Sequence, residues 1–202
     1  MNEDEYFTIG QQQQQAEIKI KGSRFIGTAK SVSSEKQASA FIHSISSQYY
    51  NATHNCYAYH VGLESSVISR FNDDGEPAGT AGQPILTVIM GRNLTNVAVV
   101  VTRYFGGTKL GKGGLVHAYS ECTSLVLEKC SVIRKYLYHN FVLKFDYEFT
   151  GPVMHIIGQF NVNVLESNYG EQTGLTLAVR RSLFDEFKQQ LTEKTAGNIS
   201  FT

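Results

Sequence analysis

Three cations and a cluster of glycines stand close together in Thr102-Arg103-Tyr104-Phe105-Gly106-Gly107-Thr108-Lys109-Leu110-Gly111-Lys112-Gly113-Gly114. Glycine permits positive φ and close approach of the backbone to a ligand. A loop that enters a helix presents unpaired N–H groups beside the positive end of the helix dipole. With Arg103 at the end of a strand and Lys109 and Lys112 in the loop, the segment has the parts of an anion site. Its candidate residues are Arg103, Tyr104, Gly106, Gly107, Lys109, Lys112, Gly113 and Gly114. The ligand would be a phosphate, on RNA or a nucleotide, or a carboxylate patch on a protein. A tight strand-to-helix corner whose glycines serve only packing accounts for the same residues, and the sequence leaves both readings open.

Charge supports the anion reading. The chain carries 18 Lys plus Arg and 18 Asp plus Glu, so its net charge is zero and attraction to nucleic acid must come from a local patch. Such a patch is present. No acidic residue lies between Pro77 and Ser120, where Arg92, Arg103, Lys109 and Lys112 all fall. Just before it stands the acidic turn Asp73-Asp74-Gly75-Glu76. Its carboxylates have metal or acid–base chemistry as one reading, but Asp and Gly are ordinary turn formers and the EF-hand spacing is absent. The favoured role is a scaffold of Arg70, Asp73, Asp74, Glu76 and Thr80, pairing with Arg70, Arg103 or Lys109 to fix one loop against the other.

Other chemistries find less support. Gly106-x4-Gly111-Lys112 falls one residue short of a P-loop, because residue 113 is Gly where a Ser or Thr hydroxyl would hold Mg²⁺. Cys56 lies close to His54, but no third group orients them for nucleophilic catalysis. Cys122 and Cys130 read as buried thiols, and His43, His139 and His155 lack metal spacing. No catalytic residue, metal or cofactor is assigned. Three cysteines without a framework, an acidic start and no long apolar stretch point to a cytoplasmic protein without a membrane partner.

The elements that must position these residues fall into two groups. Residues 1–15 read as a polar leader or solvated edge strand ending in five glutamines. From Ala16, alternating Ile18 and Ile20 begin a hairpin that turns at Gly22 and returns through Arg24–Val32. Ser34-Glu35-Lys36-Gln37 opens a helix with a capping box. Strands follow at His54–Val61 and Val67–Phe71, and Val97–Val101 reads as a strand covered on both faces. A helix after the glycine loop carries Leu115, Ala118, Tyr119, Cys122, Leu125 and Val126 on one stripe and ends near Cys130.

Beyond Ser131 a long alternating strand (132–149) precedes a helix opened by Thr150-Gly151-Pro152. Strands around 161–169 and 172–181, a helix from Ser182 and a strand at 199–201 complete a β-α-β-β-α-β order, the ferredoxin-like arrangement. The fold class is α+β in two domains, 16–131 and 132–202.

The segments Ser23-Arg24-Phe25-Ile26, His54-x-Cys56-Tyr57-Ala58, Asp73-Asp74-Gly75-Glu76-Pro77-x-Gly79-Thr80-Ala81-Gly82, Arg103-Tyr104-Phe105-Gly106-Gly107-x-x-Leu110-Gly111 and Gly113-Gly114-Leu115-Val116-x-Ala118-Tyr119 resemble the YigZ/IMPACT family. They occur in the family's order and spacing. The resemblance implies an N-terminal domain like the second domain of a small-subunit ribosomal protein and a C-terminal domain like the last domain of elongation factor G. It also implies influence on translation initiation, which eukaryotic members exert by restraining the general amino-acid control kinase. Those members carry an additional N-terminal module, and with about 15 residues before its first strand this chain resembles the bacterial type. The leading expectation is a translation-associated binding protein that contacts RNA, the ribosome or a regulatory protein. An enzyme acting on a small phosphorylated ligand, and a protein-interaction module with a structural glycine segment, are the alternatives.

Overall fold

The computed structural model describes residues 4–202, so the first three residues of the expected leader lie outside it. Two compact units emerge, one of residues 6–134 and one of 135–202 together with Asp4 and Glu5. The expected leader gives way to structure over most of its length. Residues Glu5–Ile9 form strand β1, and the glutamine run enters strand β2 (Gln14–Ile20). Ile9 is 1% exposed, and the Phe7 carbonyl accepts from the Thr95 N–H at 2.9 Å. Polar composition concealed the two apolar anchors, Phe7 and Ile9.

The first unit is a five-stranded antiparallel sheet in the order β2-β3-β6-β4-β5, with β3 at Ser23–Ser31, β4 at His54–Val61, β5 at Ile68–Asn72 and β6 at Val97–Tyr104. The β2–β3 hairpin turns on Lys21 (φ 46°) and Gly22 (φ 84°), the left-handed pair that a two-residue hairpin demands. Strand β6 is central, and its five apolar residues divide by the two-residue period of a strand. Val97, Val99 and Val101 enter one core with helices α2 (Gly82–Gly91) and α3 (Gly111–Glu128). Ala98 and Val100 enter a second core with Phe41 and Ile45 of helix α1 (Glu35–Gln48). Covering both faces explains why β6 does not alternate. Ser34 caps α1 by accepting from the Gln37 N–H (3.2 Å), and Gln37 accepts from the Ser33 N–H (2.8 Å).

Two helices depart from the sequence reading. Helix α2 was not anticipated, because Pro84, Ile85, Leu86, Val88 and Ile89 form a nearly continuous apolar run without helical period. Helix α3 begins at Gly111, so Lys112, Gly113 and Gly114 occupy its first turn and the glycine loop ends earlier than expected.

The second unit is a four-stranded antiparallel sheet in the order β11-β8-β10-β9, with β8 at Tyr138–Phe145, β9 at Asn163–Tyr169, β10 at Thr173–Arg180 and β11 at Ile199–Phe201. Helices α4 (Thr150–Gln159) and α5 (Phe184–Lys194) place Val153, Ile156, Ile157, Phe187 and Leu191 in one core with Phe141, Leu143, Phe145 and Leu177. This is the expected β-α-β-β-α-β arrangement. The single strand expected at 132–149 is instead β7 (Val132–Tyr136), β8 and a 3₁₀ turn at Tyr147–Phe149. The break falls at Leu137, whose N–H donates to the Asp4 carbonyl at 2.8 Å. Asp4 itself is 1% exposed and accepts from both Arg180 Nη2 (3.0 Å) and Nε (3.2 Å), and from the Ser182 hydroxyl (2.6 Å).

Candidate functional site

The acidic turn is built to hold the backbone. Asp74 (φ 44°) and Gly75 (φ 86°) reverse the chain after β5. One oxygen of Asp73 accepts from the Gly79 N–H (2.8 Å); the other accepts from the N–H groups of Ala81 (3.0 Å) and Gly82 (2.8 Å), at the start of α2. An acid at that position satisfies donors which the helix itself leaves free and sits favourably at the dipole's positive end. Asp74 accepts from the Asn55 N–H (2.6 Å). Thr80 donates its hydroxyl to the Pro77 carbonyl (2.6 Å). Arg70 was expected to pair with this turn, but it lies beside Glu35 (3.5 Å) on the exposed edge strand β5.

Glu76 joins the two loops. It is buried, and its Oε1 accepts from Arg103 Nη1 (2.6 Å) and from the Tyr119 hydroxyl (2.8 Å). Arg103 is 5% exposed, and its Nη2 donates to the Ser23 hydroxyl at 3.3 Å. Its guanidinium lies 5.4 Å from the ring centroids of both Phe25 and Phe105. Arg103 is therefore a buried partner of Glu76, one of the pairings weighed for the acidic turn, and not the open cation of the anion-site reading. Its Nε remains a buried donor with no hydrogen-bond partner.

Cys56 belongs to the same buried cluster. Its thiol donates to the Asp73 carbonyl (3.0 Å) and lies 3.3 Å from the Tyr119 hydroxyl. Burial pushes the thiol pKa up, which removes the thiolate that nucleophilic chemistry needs. His54, two positions before it on β4, is engaged elsewhere, with Nδ1 on the Asp74 carbonyl (2.7 Å) and Nε2 at 3.9 Å from Glu76. Among the described residues, no group of three or more His, Cys, Asp or Glu side chains is placed to hold a metal.

Beside this cluster lies a cleft of about 380 Å³. Glu76 and Arg103 line it together with Lys109 and Lys112, while Pro77, Phe105, Leu110 and Leu115 supply apolar surface. Lys109 and Lys112 are exposed, and among the described residues neither has an ion-pair partner. The N-terminus of α3 opens here without a capping side chain, since its N-cap residue is Leu110. The cleft thus combines two free cations, the unpaired N–H groups of a helix start and one carboxylate already neutralised by Arg103.

The remaining candidates have other duties. Tyr104 points away from these residues and donates its hydroxyl to Asn51 Oδ1 (2.8 Å). Gly106 is a packing glycine, because a Cβ there would lie 1.9 Å from the Gly22 carbonyl carbon. Gly107 (φ 87°) is conformationally required, and Gly113 and Gly114 lie in the first turn of α3. Sequence reasoning missed Ser23, Tyr119 and Leu115. The family-like segments around Ser23 and Tyr119 were the available signal, but nothing in their local spacing revealed contact with Arg103 and Glu76.

Comparison with known proteins agrees with this organisation. Residues 21–127 match the Impact N-terminal domain and 143–198 match a domain of unknown function, DUF1949. The chain is 40% identical to the IMPACT family member YvyE of Bacillus subtilis over 95% of its own length and 88% of the relative's. It is 33% identical to the IMPACT family member YigZ of Escherichia coli, covering 89% of the relative. A crystal structure described as that of a hypothetical protein is 30% identical, covers 98% of this chain and 96% of its own, and superposes with a TM-score of 0.70. The chain belongs to the IMPACT family.

Proposed function

We propose that this chain is a cytoplasmic, translation-associated regulatory protein that binds RNA through phosphate contacts in the cleft at the start of α3. The observation that carries this reading is the convergence of Lys109, Lys112 and the uncapped α3 N-terminus on one cleft, with no unneutralised carboxylate among its lining residues. Phosphate suits such a site because helix-start N–H groups and lysines both donate to it. The regulatory part comes from the family. Proteins named IMPACT in rabbit, rat and mouse are 37% identical to this chain over 81 residues, 39% of this chain and 25% of theirs, and influence on translation initiation is what the resemblance brings from the eukaryotic members.

The test is the salt dependence of binding to ribosomes and to structured or single-stranded RNA. Each phosphate neutralised on a single strand contributes about 0.7 to the slope of log affinity against log salt. Lys109→Ala with Lys112→Ala should therefore reduce that slope by about 1.4 and weaken binding at low salt. Undetectable binding at low salt, or an unchanged slope in the double variant, overturns the reading. Capture of a partner that survives RNase but is lost in the double variant would assign the cleft to an acidic protein surface instead.

A further inference from the structure

Phosphate recognition leaves half of the cleft unexplained. Lysines and helix-start amides need no apolar wall, yet Pro77, Phe105, Leu110 and Leu115 line the cavity beside them. Phe105 is 46% exposed where it lines the cleft beside Pro77, Leu110 and Leu115, so its ring remains accessible to a ligand. Its backbone is firmly held, with the N–H donating to the Thr53 hydroxyl at 2.9 Å, so the ring projects from a fixed point. Arg103 stands 5.4 Å from the ring centroid and carries the buried Nε donor that the protein itself leaves without an acceptor. The cleft therefore places an accessible aromatic ring and an incompletely satisfied guanidinium next to two open lysines.

We infer that the cleft takes one unpaired nucleotide of a single-stranded RNA, with its phosphate at Lys109, Lys112 and the α3 N-terminus and its base stacked on Phe105. This rests on the RNA reading above and adds which form of RNA is bound. At about 380 Å³ the cavity is at the small end of ligand pockets, with room for one nucleotide and far too little for a duplex. In double-stranded RNA the bases are already stacked on their neighbours, so Phe105 gains a partner only from an unpaired base. An acidic peptide has no comparable use for the ring. Every base presents a π-face, so this contact selects for strandedness rather than for sequence.

The experiment compares a short labelled single-stranded RNA with the same strand in a duplex by fluorescence anisotropy, using the full chain. Four forms are measured: wild type, Phe105→Leu, Phe105→Tyr and the Lys109→Ala/Lys112→Ala variant. Leucine keeps an apolar cover over Arg103 and removes only the aromatic face. Phe105→Leu should weaken single-strand binding about fivefold or more, with the salt slope and duplex binding unchanged. Phe105→Tyr should bind as wild type does. The lysine variant should lose affinity for both RNAs and flatten the salt slope. Equal affinity of Phe105→Leu and wild type for the single strand, with the lysine effect intact, overturns the nucleotide inference and leaves the phosphate reading standing. Absence of RNA binding in every form overturns both. Thermal melting of each variant confirms that the comparison is between folded proteins.

Discussion

The acidic turn and the basic loop are both glycine-rich, both charged and only a few ångströms apart, yet they use their charges in opposite ways. At the acidic turn every carboxylate is taken up by the fold's own donors, whether buried like Glu76 or exposed like Asp74. Asp73 is occupied by three backbone N–H groups, Asp74 by the Asn55 amide and Glu76 by Arg103 and Tyr119. In the basic loop Lys109 and Lys112 extend from a helix start that no side chain caps. Charge that fixes a scaffold is hydrogen-bonded on formation of the fold, whereas charge that serves a ligand must be left available. The contrast separates the two roles without reference to residue type.

The sharpest way to break this contrast is at Glu76. Removing one member of a buried ion pair strands the other, at a cost of about 3–5 kcal/mol. Glu76→Ala should therefore lower stability by about that amount in chemical denaturation, and Arg103→Ala should do the same. Replacing both, as in Glu76→Leu with Arg103→Met, should cost less than either single alanine change, because no buried charge remains unpaired. A double variant as unstable as the sum of the singles would show that the two residues stabilise the fold independently of each other and not as a neutralising pair. Asp73→Ala comes next, at about 1.5–3 kcal/mol, because the amides of Gly79, Ala81 and Gly82 lose a charged acceptor. A change below about 0.5 kcal/mol would mean that water replaces the carboxylate without loss, and that the turn is not a scaffold.

The two loops were also unequally legible in the sequence. The segregation of acids from bases between Asp73 and Lys112 was visible in the residue order, as was the strand-to-helix corner. Arg103 stood among the partners weighed for the acidic turn, but its burial was not legible, because Glu76 is 27 positions away and is brought to it through the β4–β5 and β4–β6 pairings. Elements with strong period were readable: the β2–β3 hairpin, α1 with its Ser34 cap, and the β-α-β-β-α-β order of the second unit. Those whose pattern was overridden by surroundings were not, such as α2 with its unbroken apolar run and β1 in a polar segment. Most of the cleft was legible as one segment, since Arg103, Phe105, Lys109, Leu110, Gly111, Lys112 and Leu115 follow one another along β6, the loop and α3; what no local pattern shows is that Glu76 and Pro77 of the acidic turn close it.

Asp4 extends the scaffold principle to the unit of residues 135–202. Hydrogen bonds from the Arg180 guanidinium, aided by Ser182 and opposed by burial, hold its carboxyl down from 3.8 to about 2. A group whose pKa is lower in the folded state stabilises above its unfolded value and loses that contribution as pH falls through the folded one. Stability should accordingly decline between about pH 3.8 and about pH 2 through this group. Asp4→Asn should be less stable than wild type at neutral pH and should lack that part of the acid dependence. A parallel pH profile for the two forms would remove Asp4 from the scaffold.

The smallest expected effect on stability is at the lysines, and its smallness is the point. Lys109 and Lys112 are exposed and have no ion-pair partner among the described residues. Neither completes a core or a hydrogen-bonded cap, so each alanine substitution should change unfolding free energy by no more than about 0.5 kcal/mol. Removing Lys112 can even help slightly, since a cation in the first turn of a helix opposes the dipole. A positive charge kept at the wrong end of a helix has a local cost that packing does not offset, and an anion at that end reverses the sign. Denaturation with and without RNA can read both halves of this statement. Without RNA the variants should match or slightly exceed wild type; with it, wild type should gain more stability than the variants, in proportion to its tighter binding. A loss of more than about 1 kcal/mol without RNA would instead place the lysines in the scaffold and erase the distinction between the two loops.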